Sequence, residues 1–494
     1  MLRADVVVIG GGIAGSGAAL AAARKGAEVV LLTKLLDPEE ANTPYAQGGI
    51  IYAGPDDSPG LLVRDILAAG AGSRTAAELI SREGPPLVRE LLIDGLEVPF
   101  DRDPDGCESL HLTLEAAHSV PRIVHHADTT GYEIQRALTC AVRSEKRITL
   151  LPEAEALDLM VSQGRCVGVR AAKNGEVLTM LGRGVVLATG GLGALYEHTT
   201  NPPFATGDGF ALALRAGARV HDLHYVQFHP TALYTPDREG FLISEAMRGE
   251  GGVLKDSDGE EFVNHPLGSL APRDVLAREI WAMMRRTGSS CAYLDITHRP
   301  AQWLRERFPA IYVRCSSEGI DITREPIPVV PAAHYACGGV ATDLYGRANL
   351  QCLWAAGEVA STGLHGYNRL ASTSLLEGLV FGWRAGEDAA QPSPVPGTRY
   401  GESRPLPEDA PKEAWRLLRS IMWEKAGLVR TTGGLREGLG EIGTLEEEYG
   451  GTDLGLVLPV AQEIMREALA DCGSQGCHYR LDAEEEVTLA HLPR

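Results

Sequence analysis

Four side chains in the middle of the 494-residue chain have the chemistry needed to hold a doubly anionic substrate. They are His229, Arg273, His334 and Arg369. Each carboxylate of such a substrate must meet cations or hydrogen-bond donors, because leaving it unpaired in a cavity costs several kcal/mol. A histidine by itself is more often an ordinary satisfied polar residue. The prediction of a dicarboxylate site therefore rests on the occurrence of all four groups.

A glycine-rich turn near the N-terminus is typical of dinucleotide binding. An apolar run at residues 6–9 leads into Gly-Gly-Gly-Ile-Ala-Gly at 10–15, which satisfies G-x-G-x-x-G. An alanine-rich helix to Lys25 and a second strand at 27–33 follow. Glycine there allows a tight turn, lets backbone N–H groups approach a pyrophosphate and packs the helix on the strand. Because strand, turn, helix and strand occur in order, we favour a cofactor site over a purely structural turn.

The acidic residue that usually follows the second strand and binds an NAD ribose is missing. Thr33 and Lys34 stand there instead, which weakens an NAD interpretation, although a hydroxyl and a cation can contact an adenosine ribose or phosphate. A dense polar segment at 354–378 is typical of a second approach to the same cofactor and points to a flavin.

Composition excludes several classes of partner. The net charge of −20 repels nucleic acid and anionic lipid, so we expect neither as a partner. We see no uncharged apolar span long enough to cross a membrane and no signal-peptide cleavage site, so we expect a soluble, cytoplasmic protein.

Nine cysteines without a C-x-x-C pair suit a reducing compartment. The C-x₄-C pair Cys472 and Cys477 has no companion ligands, and we expect no metal site.

The order of the elements predicts a body interrupted by an insertion and followed by a helical tail. Prolines and helical stretches at about 221–329 break the sheet pattern, which resumes near His334 and Trp354. The predicted units are 1–220 and 330–392 for the body, 221–329 for the inserted domain, 393–411 for a proline-rich linker and 412–494 for a helical domain.

Eight motifs in order along the chain resemble the succinate dehydrogenase and fumarate reductase flavoprotein family, and a tail motif at 421–432 agrees. They lie at 10–15, 43–49, 188–191, 227–231, 248–252, 272–274, 334–339 and 357–378. The resemblance implies an α/β protein with a Rossmann-like FAD-binding domain, an inserted α+β capping domain and a C-terminal helical bundle. The best match is to the branch that oxidises L-aspartate to iminoaspartate, with oxygen or fumarate as the acceptor.

The resemblance also implies that FAD is the cofactor. Respiratory members carry a histidine bonded to FAD just before the counterpart of Thr43, whereas this chain has Asn42, which predicts non-covalent FAD. Asn42 is equally compatible with a simple turn residue. The expected cofactor residues are Gly10, Gly12, Ile13, Ala14, Gly15, Thr33, Lys34, Asn42, Thr43, Gln47, Gly48, Gly49, Ala188, Thr189, Gly190, Asp208, Glu358, Ser372, Ser374 and Leu375. Glu358 is expected to accept from ribityl hydroxyls, and Ser372 or Ser374 can also serve as a helix N-cap.

Site residues are carried over from the family in the same way. Carboxylate binding falls to His229, His334 and Arg369, and Ser244 is a supporting hydroxyl delivered with Glu245 by the capping domain. The α-ammonium of aspartate needs an anionic partner, and Glu115 is the candidate, with a surface glutamate as the alternative. Members of this branch usually have glycine where Ala116 and Ala117 stand.

Arg273 is the residue that the family assigns to proton transfer. A guanidinium is seldom deprotonated, because its pKa lies above roughly 12, so proton abstraction needs a neighbour. Glu245, Glu250 and Asp274 are the candidates, and the sequence does not choose among them. A role for Arg273 in carboxylate binding alone stays open.

Two other classes of function stay open. The first is the flavoprotein subunit of a succinate dehydrogenase or fumarate reductase complex, which Asn42 and the tail motif disfavour. The second is a non-catalytic or RNA-associated FAD protein, which the net charge disfavours. L-aspartate and fumarate or succinate are the expected small-molecule partners. The resemblance links the activity to quinolinate synthase in NAD biosynthesis.

Overall fold

The computed structural model describes residues 1–103, 109–115, 117–235, 240–391 and 406–483. Residues 393–405 of the predicted linker and residues 484–494 of the predicted helical tail lie outside this part of the chain.

The described strands are short, apart from four of the body and two of the inserted region. In chain order they are β1 (Leu2–Ile9), β2 (Val29–Leu32), β3 (Ile50–Ile51), β4 (Leu112–Thr113), β5 (Ile123–Val124), β6 (Ile148–Leu151), β7 (Glu155–Ser162), β8 (Arg165–Lys173), β9 (Glu176–Leu187), β10 (Val220–His221), β11 (Val226–Leu233), β12 (Phe241–Leu242), β13 (Val253–Lys255), β14 (Ala292–Asp295), β15 (Ile327–Ala336), β16 (Gly339–Ala341), β17 (Leu353–Ala355) and β18 (Ala360–Ser361).

The described α-helices are α1 (Ile13–Arg24), α2 (Pro59–Gly70), α3 (Arg74–Leu87), α4 (Thr130–Ser144), α5 (Asp208–Ala216), α6 (Glu245–Gly249), α7 (Arg273–Thr287), α8 (Ala301–Arg307), α9 (Pro309–Ser317), α10 (Thr373–Ala389), α11 (Lys412–Ala426), α12 (Thr432–Tyr449) and α13 (Asp453–Ala470). Short 3₁₀ turns lie at Thr43–Tyr45, Gly193–Leu195, Gly268–Leu270 and Gly357–Val359, and a π-helical stretch at Val88–Gly95 continues α3.

The main sheet places the cofactor turn at one edge. Strands β6, β2, β1 and β9 pair in parallel in that order, and β17 pairs in parallel with the C-terminal end of β9. Val6, Val7 and Val8 of β1 are fully buried, as expected for a central parallel strand covered on both faces. The carboxyl ends of these strands meet at one edge, where ligands of such sheets bind.

Strand β9 has different neighbours along its length. Its N-terminal half pairs antiparallel with β8, which pairs antiparallel with β7. Its C-terminal half lies between β1 and β17. The parallel segment at residues 184–187 is therefore the end of a twelve-residue strand.

Helices α1 and α10 lie side by side because small residues line their contact. A Cβ on Gly382 would lie 2.3 Å from the carbonyl oxygen of Ala14, and a Cβ on Gly386 would lie 2.1 Å from that of Ala18. The two helices run in parallel, so their N-terminal ends lie at the same end of the body. Both positive helix ends therefore face the cofactor edge of the sheet.

The inserted region forms a second sheet with its own core. Strands β12, β11, β15, β14 and β13 pair antiparallel in that order, and α7 to α9 accompany them. Leu254, Ile280 and Leu304 are fully buried in this core. The expected division between 329 and 330 falls inside β15.

The tail packs as three helices on the body. Leu418 and Met422 of α11 are buried, and Ile442 of α12 and Met465 of α13 join them. Pro459 is accommodated inside α13. The structure confirms the predicted α/β fold with an inserted α+β region and a C-terminal helical bundle.

Among the described helices, none has both the length and the sustained hydropathy that crossing a lipid bilayer requires.

Candidate active site

A long crevice starts at the carboxyl edge of β1 and ends at the N-terminus of α10. Fifteen of the expected cofactor residues line it: Gly10, Gly12, Ile13, Ala14, Thr33, Lys34, Asn42, Thr43, Ala188, Thr189, Gly190, Asp208, Glu358, Ser374 and Leu375. The other five are not among its lining residues; they are Gly15, Gln47, Gly48, Gly49 and Ser372.

The glycine turn leaves no room for side chains. Gly10 has φ of 108°, and a Cβ on it would lie 2.2 Å from the carbonyl oxygen of Ala188. A Cβ on Gly15 would lie 1.8 Å from the carbonyl oxygen of Gly10. Gly15 thus acts by letting α1 approach β1, which explains its absence from the crevice wall.

The far end of the crevice supplies the acidic groups that the second strand lacks. Lys34 Nζ lies 2.8 Å from Glu155 Oε1 and 2.9 Å from Asp208 Oδ2. The remaining carboxylate oxygens can accept from ribose hydroxyls. Glu155 was missed from the sequence because it begins β7, far from the glycine motif.

Glu358 lies in the middle of the crevice. It occupies the 3₁₀ turn after β17 and accepts from the Ala336 amide at 2.9 Å and from Asn42 Nδ2 at 3.4 Å. Burial raises the pKa of Glu358 to about 7. A buried carboxylate of this kind suits a ligand that brings hydroxyl donors.

These groups fit FAD. The glycine turn admits a pyrophosphate, Glu358 faces the place for polyol hydroxyls, and the hydroxyl of Thr189 is buried without a hydrogen-bond partner among the described residues. Asn42 carries a carboxamide and so provides no imidazole for a covalent flavin bond. No cluster of three histidine, cysteine or acidic side chains suited to a metal occurs in the described ranges.

A second group of charged side chains lies against this crevice. Arg273 Nε donates to Glu245 Oε2 at 2.6 Å, and Arg273 Nη1 donates to Gln227 Oε1 at 3.3 Å. Arg248 Nη2 lies 3.6 Å from the same Glu245 oxygen. Ser244 caps the short helix α6 by accepting from the Ala246 amide, which places its hydroxyl at the start of that helix.

Glu250 and Asp274, two of the candidates for assisting Arg273 in proton transfer, pair with other arginines. Glu250 Oε2 pairs with Arg299 at 3.3 Å, and Asp274 Oδ2 pairs with Arg278 at 2.8 Å. Of the three acids that the sequence left open, Glu245 pairs with Arg273, whereas the other two pair with other arginines.

Arg369 lies between the two groups. Its Nη1 donates to Ser374 Oγ at 3.1 Å, and its guanidinium lies over the Tyr335 ring, 4.7 Å from the centroid. Its Nε is buried without a hydrogen-bond partner in the described part of the chain. A buried donor of this kind is costly unless a ligand satisfies it.

The two histidines lie together. The rings of His229 and His334 are 5.2 Å apart between centroids. Burial lowers the pKa of each well below its usual value, and Arg273 lowers both further. Both rings are therefore neutral at pH 7. Thr200 Oγ1 holds His334 Nδ1 at 2.7 Å.

Glu115 completes the cluster from the body. Its Oε2 accepts from Ser372 Oγ at 2.7 Å. Burial raises the pKa of Glu115, as does the nearby charge of Glu245, whereas Arg273 and Arg369 lower it. Glu115 is thus part of the charged cluster and not a surface group.

Two residues of the charged cluster also escaped the sequence prediction. Arg248 is fully buried, and its Nε and Nη2 have no hydrogen-bond partner among the described residues. Gln227 links Arg273 to Asn368, to which its Nε2 donates at 2.7 Å. Each is the first residue of a motif on which the family resemblance rests. The sequence therefore marked both residues but did not reveal their roles.

Comparisons with known proteins agree with this geometry. The FAD binding domain family matches residues 5–375. L-aspartate oxidase 1 of Ralstonia nicotianae is 43% identical over 98% of this chain and 96% of its own length. L-aspartate oxidase of Halobacterium salinarum is 43% identical over 99% of each chain. A solved quinol fumarate reductase of E. coli has a TM-score of 0.88 at 30% identity, covering 98% of this chain and 92% of its own.

A dinucleotide crevice beside a buried cluster of arginines and histidines, together with the match to the FAD binding domain family, defines an FAD-dependent oxidoreductase. The chain belongs to the L-aspartate oxidases, a branch of the FAD-binding flavoproteins that include the fumarate reductases.

Proposed function

We propose that this protein oxidises L-aspartate to iminoaspartate, with oxygen or fumarate as the electron acceptor, as the first step of NAD biosynthesis through quinolinate. The observation that carries the proposal is the clustering of Arg369, Arg273 and Glu115 beside the FAD crevice. Arg369 and Glu115 bond to Ser374 and Ser372 at the start of α10, and the charge of Arg273 acts on both. Two cations and one carboxylate are the complement of a dicarboxylate that bears one ammonium group.

The arginines and histidines bind the substrate carboxylates. Arg369 and Arg248 are buried with unused donors, and a carboxylate satisfies them by charge-assisted hydrogen bonds. His229 and His334 bind as neutral donors because their pKa values lie well below the usual value.

Glu115 binds the α-ammonium. The cluster without Glu115 and Glu245 is cationic and suits succinate as well as aspartate. Glu245 is already bonded to Arg273, which leaves Glu115 as the carboxylate for the ammonium. An ionised Glu115 also disfavours succinate, because it would lie unpaired beside two substrate carboxylates.

Bound FAD supplies the two-electron acceptor for the substrate, and its reoxidation by oxygen gives hydrogen peroxide or by fumarate gives succinate. Arg273 and Glu245 move the proton. Arg273 Nε donates to Glu245 Oε2 at 2.6 Å, so the guanidinium can pass a proton to that carboxylate as it takes one from the substrate, without a stable neutral arginine. The same pair delivers a proton to a carbon of fumarate.

Anaerobic mixing of the FAD-loaded protein with L-aspartate tests the proposal. We expect rapid bleaching of the flavin absorbance near 450 nm with L-aspartate and slow or no bleaching with succinate. D-aspartate is the matched control, since it has the same charges with the ammonium misplaced. Bleaching by succinate alone would refute the proposal.

That contradictory result would favour the flavoprotein subunit of a succinate dehydrogenase or fumarate reductase. The structural likeness to quinol fumarate reductase gives this alternative its support. Asn42 opposes it, because a carboxamide cannot form the histidyl bond of the respiratory enzymes. Co-purification of an iron–sulfur protein from the native source would distinguish the two.

We also propose that the protein works in the cytoplasm and that its product is used by quinolinate synthase. Each of the eight described cysteines is a free thiol, which agrees with a reducing compartment. Formation of quinolinate when quinolinate synthase and dihydroxyacetone phosphate are added to the aspartate reaction would test the link.

A further inference from the structure

The loop that carries Glu115 is fastened to the N-terminus of α10 by two hydrogen bonds. Ser372 Oγ donates to Glu115 Oε2 at 2.7 Å, and His118 Nε2 lies 3.0 Å from the carbonyl oxygen of Ala371. The loop and the helix end are more than 250 positions apart in sequence, so tertiary structure alone joins them.

A buried ion network sets the orientation of His118. Arg122 Nη1 lies 3.2 Å from His118 Nδ1, and a guanidinium can only donate. His118 Nδ1 must therefore accept, and Nε2 must carry the hydrogen that is donated to Ala371. Arg122 is itself fully buried and pairs with Asp57 at 3.0 Å and with Asp65 at 2.5 Å.

The backbone on both sides of the contact is held in a conformation that glycine prefers. Ser372 has φ of 56° and Ala117 has φ of 65°, both in the left-handed region. Such residues persist where the surroundings determine them strongly, and they concentrate at functional sites. Although Ser372 precedes the first residue of α10, its side chain makes no capping bond, and its hydroxyl goes to Glu115 instead.

Gly48 provides the space for the carboxylate. A Cβ at Gly48 would lie 2.3 Å from Glu115 Oε1 and 3.5 Å from Ser372 Oγ. The carboxylate thus has one oxygen held by Ser372 and the other against a residue without a side chain.

We propose that Ser372 and His118 are positioning residues that fix the Glu115 carboxylate in the substrate pocket and thereby set the preference for a dicarboxylate with an α-ammonium. The inference rests on the proposed function, which assigns that ammonium to Glu115. It gives Ser372 a second role beside the expected contact with the flavin.

The test compares aspartate oxidation with fumarate reduction in the same FAD-loaded variants. Ser372→Gly removes the hydroxyl and keeps the left-handed backbone, which glycine adopts readily. We expect the ratio of kcat/KM for L-aspartate to kcat/KM for fumarate to fall roughly tenfold to a hundredfold, the range for losing a hydrogen bond to a charged group. His118→Leu should lower the ratio in the same direction.

The pH profile separates positioning from a general loss of structure. The charged groups that act on Glu115 are Glu245, Arg273 and Arg369, and the Ser372 hydroxyl lowers its pKa. Without that hydroxyl the carboxylate takes up a proton at a higher pH. The rise in KM for L-aspartate on the acid side should therefore begin at a higher pH in Ser372→Gly than in the parent protein.

A double-variant cycle with Glu115→Gln decides whether Ser372 acts through Glu115. Adding Ser372→Gly to Glu115→Gln should cause no further fall in the ratio. Ser81→Ala is the matched control, since it removes another buried serine hydroxyl. The Ser81 hydroxyl lies on α3 and has no hydrogen-bond partner among the described residues. It should keep the parent ratio.

An unchanged ratio in Ser372→Gly, or an equal fall in the presence and absence of Glu115→Gln, would overturn the inference. Failure of L-aspartate to bleach the flavin of the parent protein would instead refute the proposed function, so the two failures are distinguishable.

Discussion

Arg273 and Glu245 are each the first residue of a helix of the inserted region, and Arg273 Nε donates to Glu245 Oε2 at 2.6 Å. Because the pair is nearly buried, its proton exchange is shielded from water. The contact removes the difficulty of using arginine for proton transfer, since a carboxylate stands next to the guanidinium.

The first prediction concerns this pair. Glu245→Gln keeps the shape of the side chain and removes its charge, so Arg273 loses the group that exchanges its proton. We expect kcat for both aspartate oxidation and fumarate reduction to fall by roughly a hundredfold or more, the usual range for losing acid–base assistance. Steady-state kinetics should show kcat falling more than KM rises.

Glu250→Gln is the control for that variant. Glu250 lies close to Glu245 in sequence but pairs with Arg299 at 3.3 Å. A comparable fall in kcat for Glu250→Gln would contradict the assignment of the proton path to Glu245.

The second prediction concerns substrate choice. Glu115→Gln removes the anionic partner of the α-ammonium, so L-aspartate should bind more weakly and succinate more tightly. We expect the ratio of the succinate inhibition constant to KM for L-aspartate to fall by roughly tenfold or more. Competitive inhibition measured under anaerobic conditions gives both constants. An identical ratio in the variant and the parent protein would exclude the role.

The third prediction concerns the pH dependence of FAD binding. Burial raises the pKa of Glu358 to about 7 in the protein without its cofactor. The ionised form accepts hydrogen bonds from the ribityl hydroxyls, so FAD binding is tightest above this pKa and is lost as the pH falls through it. The FAD dissociation constant should rise by up to roughly tenfold per pH unit below 7.

Quenching of FAD fluorescence by the apoprotein at pH 6 and pH 8 measures this effect. Glu358→Gln should bind FAD more weakly at pH 8 and should show little difference between the two pH values. A pH dependence that survives in Glu358→Gln would assign it to another group.

The fourth prediction concerns the glycine turn. Gly15→Ala places a Cβ 1.8 Å from the carbonyl oxygen of Gly10, so α1 must move away from β1. The purified variant should contain little FAD, as judged by its absorbance ratio at 450 and 280 nm. Gly433→Ala is the control, because a Cβ there meets nothing within 4 Å. Full FAD occupancy of Gly15→Ala would show that the packing is less tight than this distance requires.

Much of the cofactor crevice could be predicted from the sequence, because its main determinants are local. Gly10 needs its positive φ for the turn that follows β1, and that requirement acts within a few residues. The family resemblance extended the list to Glu358 and Ser374, which do line the crevice. Glu155 was missed because nothing near it in the chain signals its approach to Lys34.

The partners within the substrate pocket could not be predicted. Sequence distance favoured no acid among Glu245, Glu250 and Asp274, yet Arg273 contacts Glu245. Asp274 instead pairs with Arg278, which lies one helical turn further along α7. Arg248 was overlooked because a charged residue in a motif does not reveal that it will be fully buried.

The sequence by itself determined the class of fold, the cofactor turn and most of the ionisable groups at the site. These depend on the backbone preferences of glycine, on hydrophobic periodicity and on which side chains are present. Only the tertiary structure decided which group meets which, such as Ser372 with Glu115 across 257 positions of sequence. The physical reason is that a hydrogen bond depends on a few ångströms of geometry, which the packing of α10 and α1 supplies and no local pattern encodes.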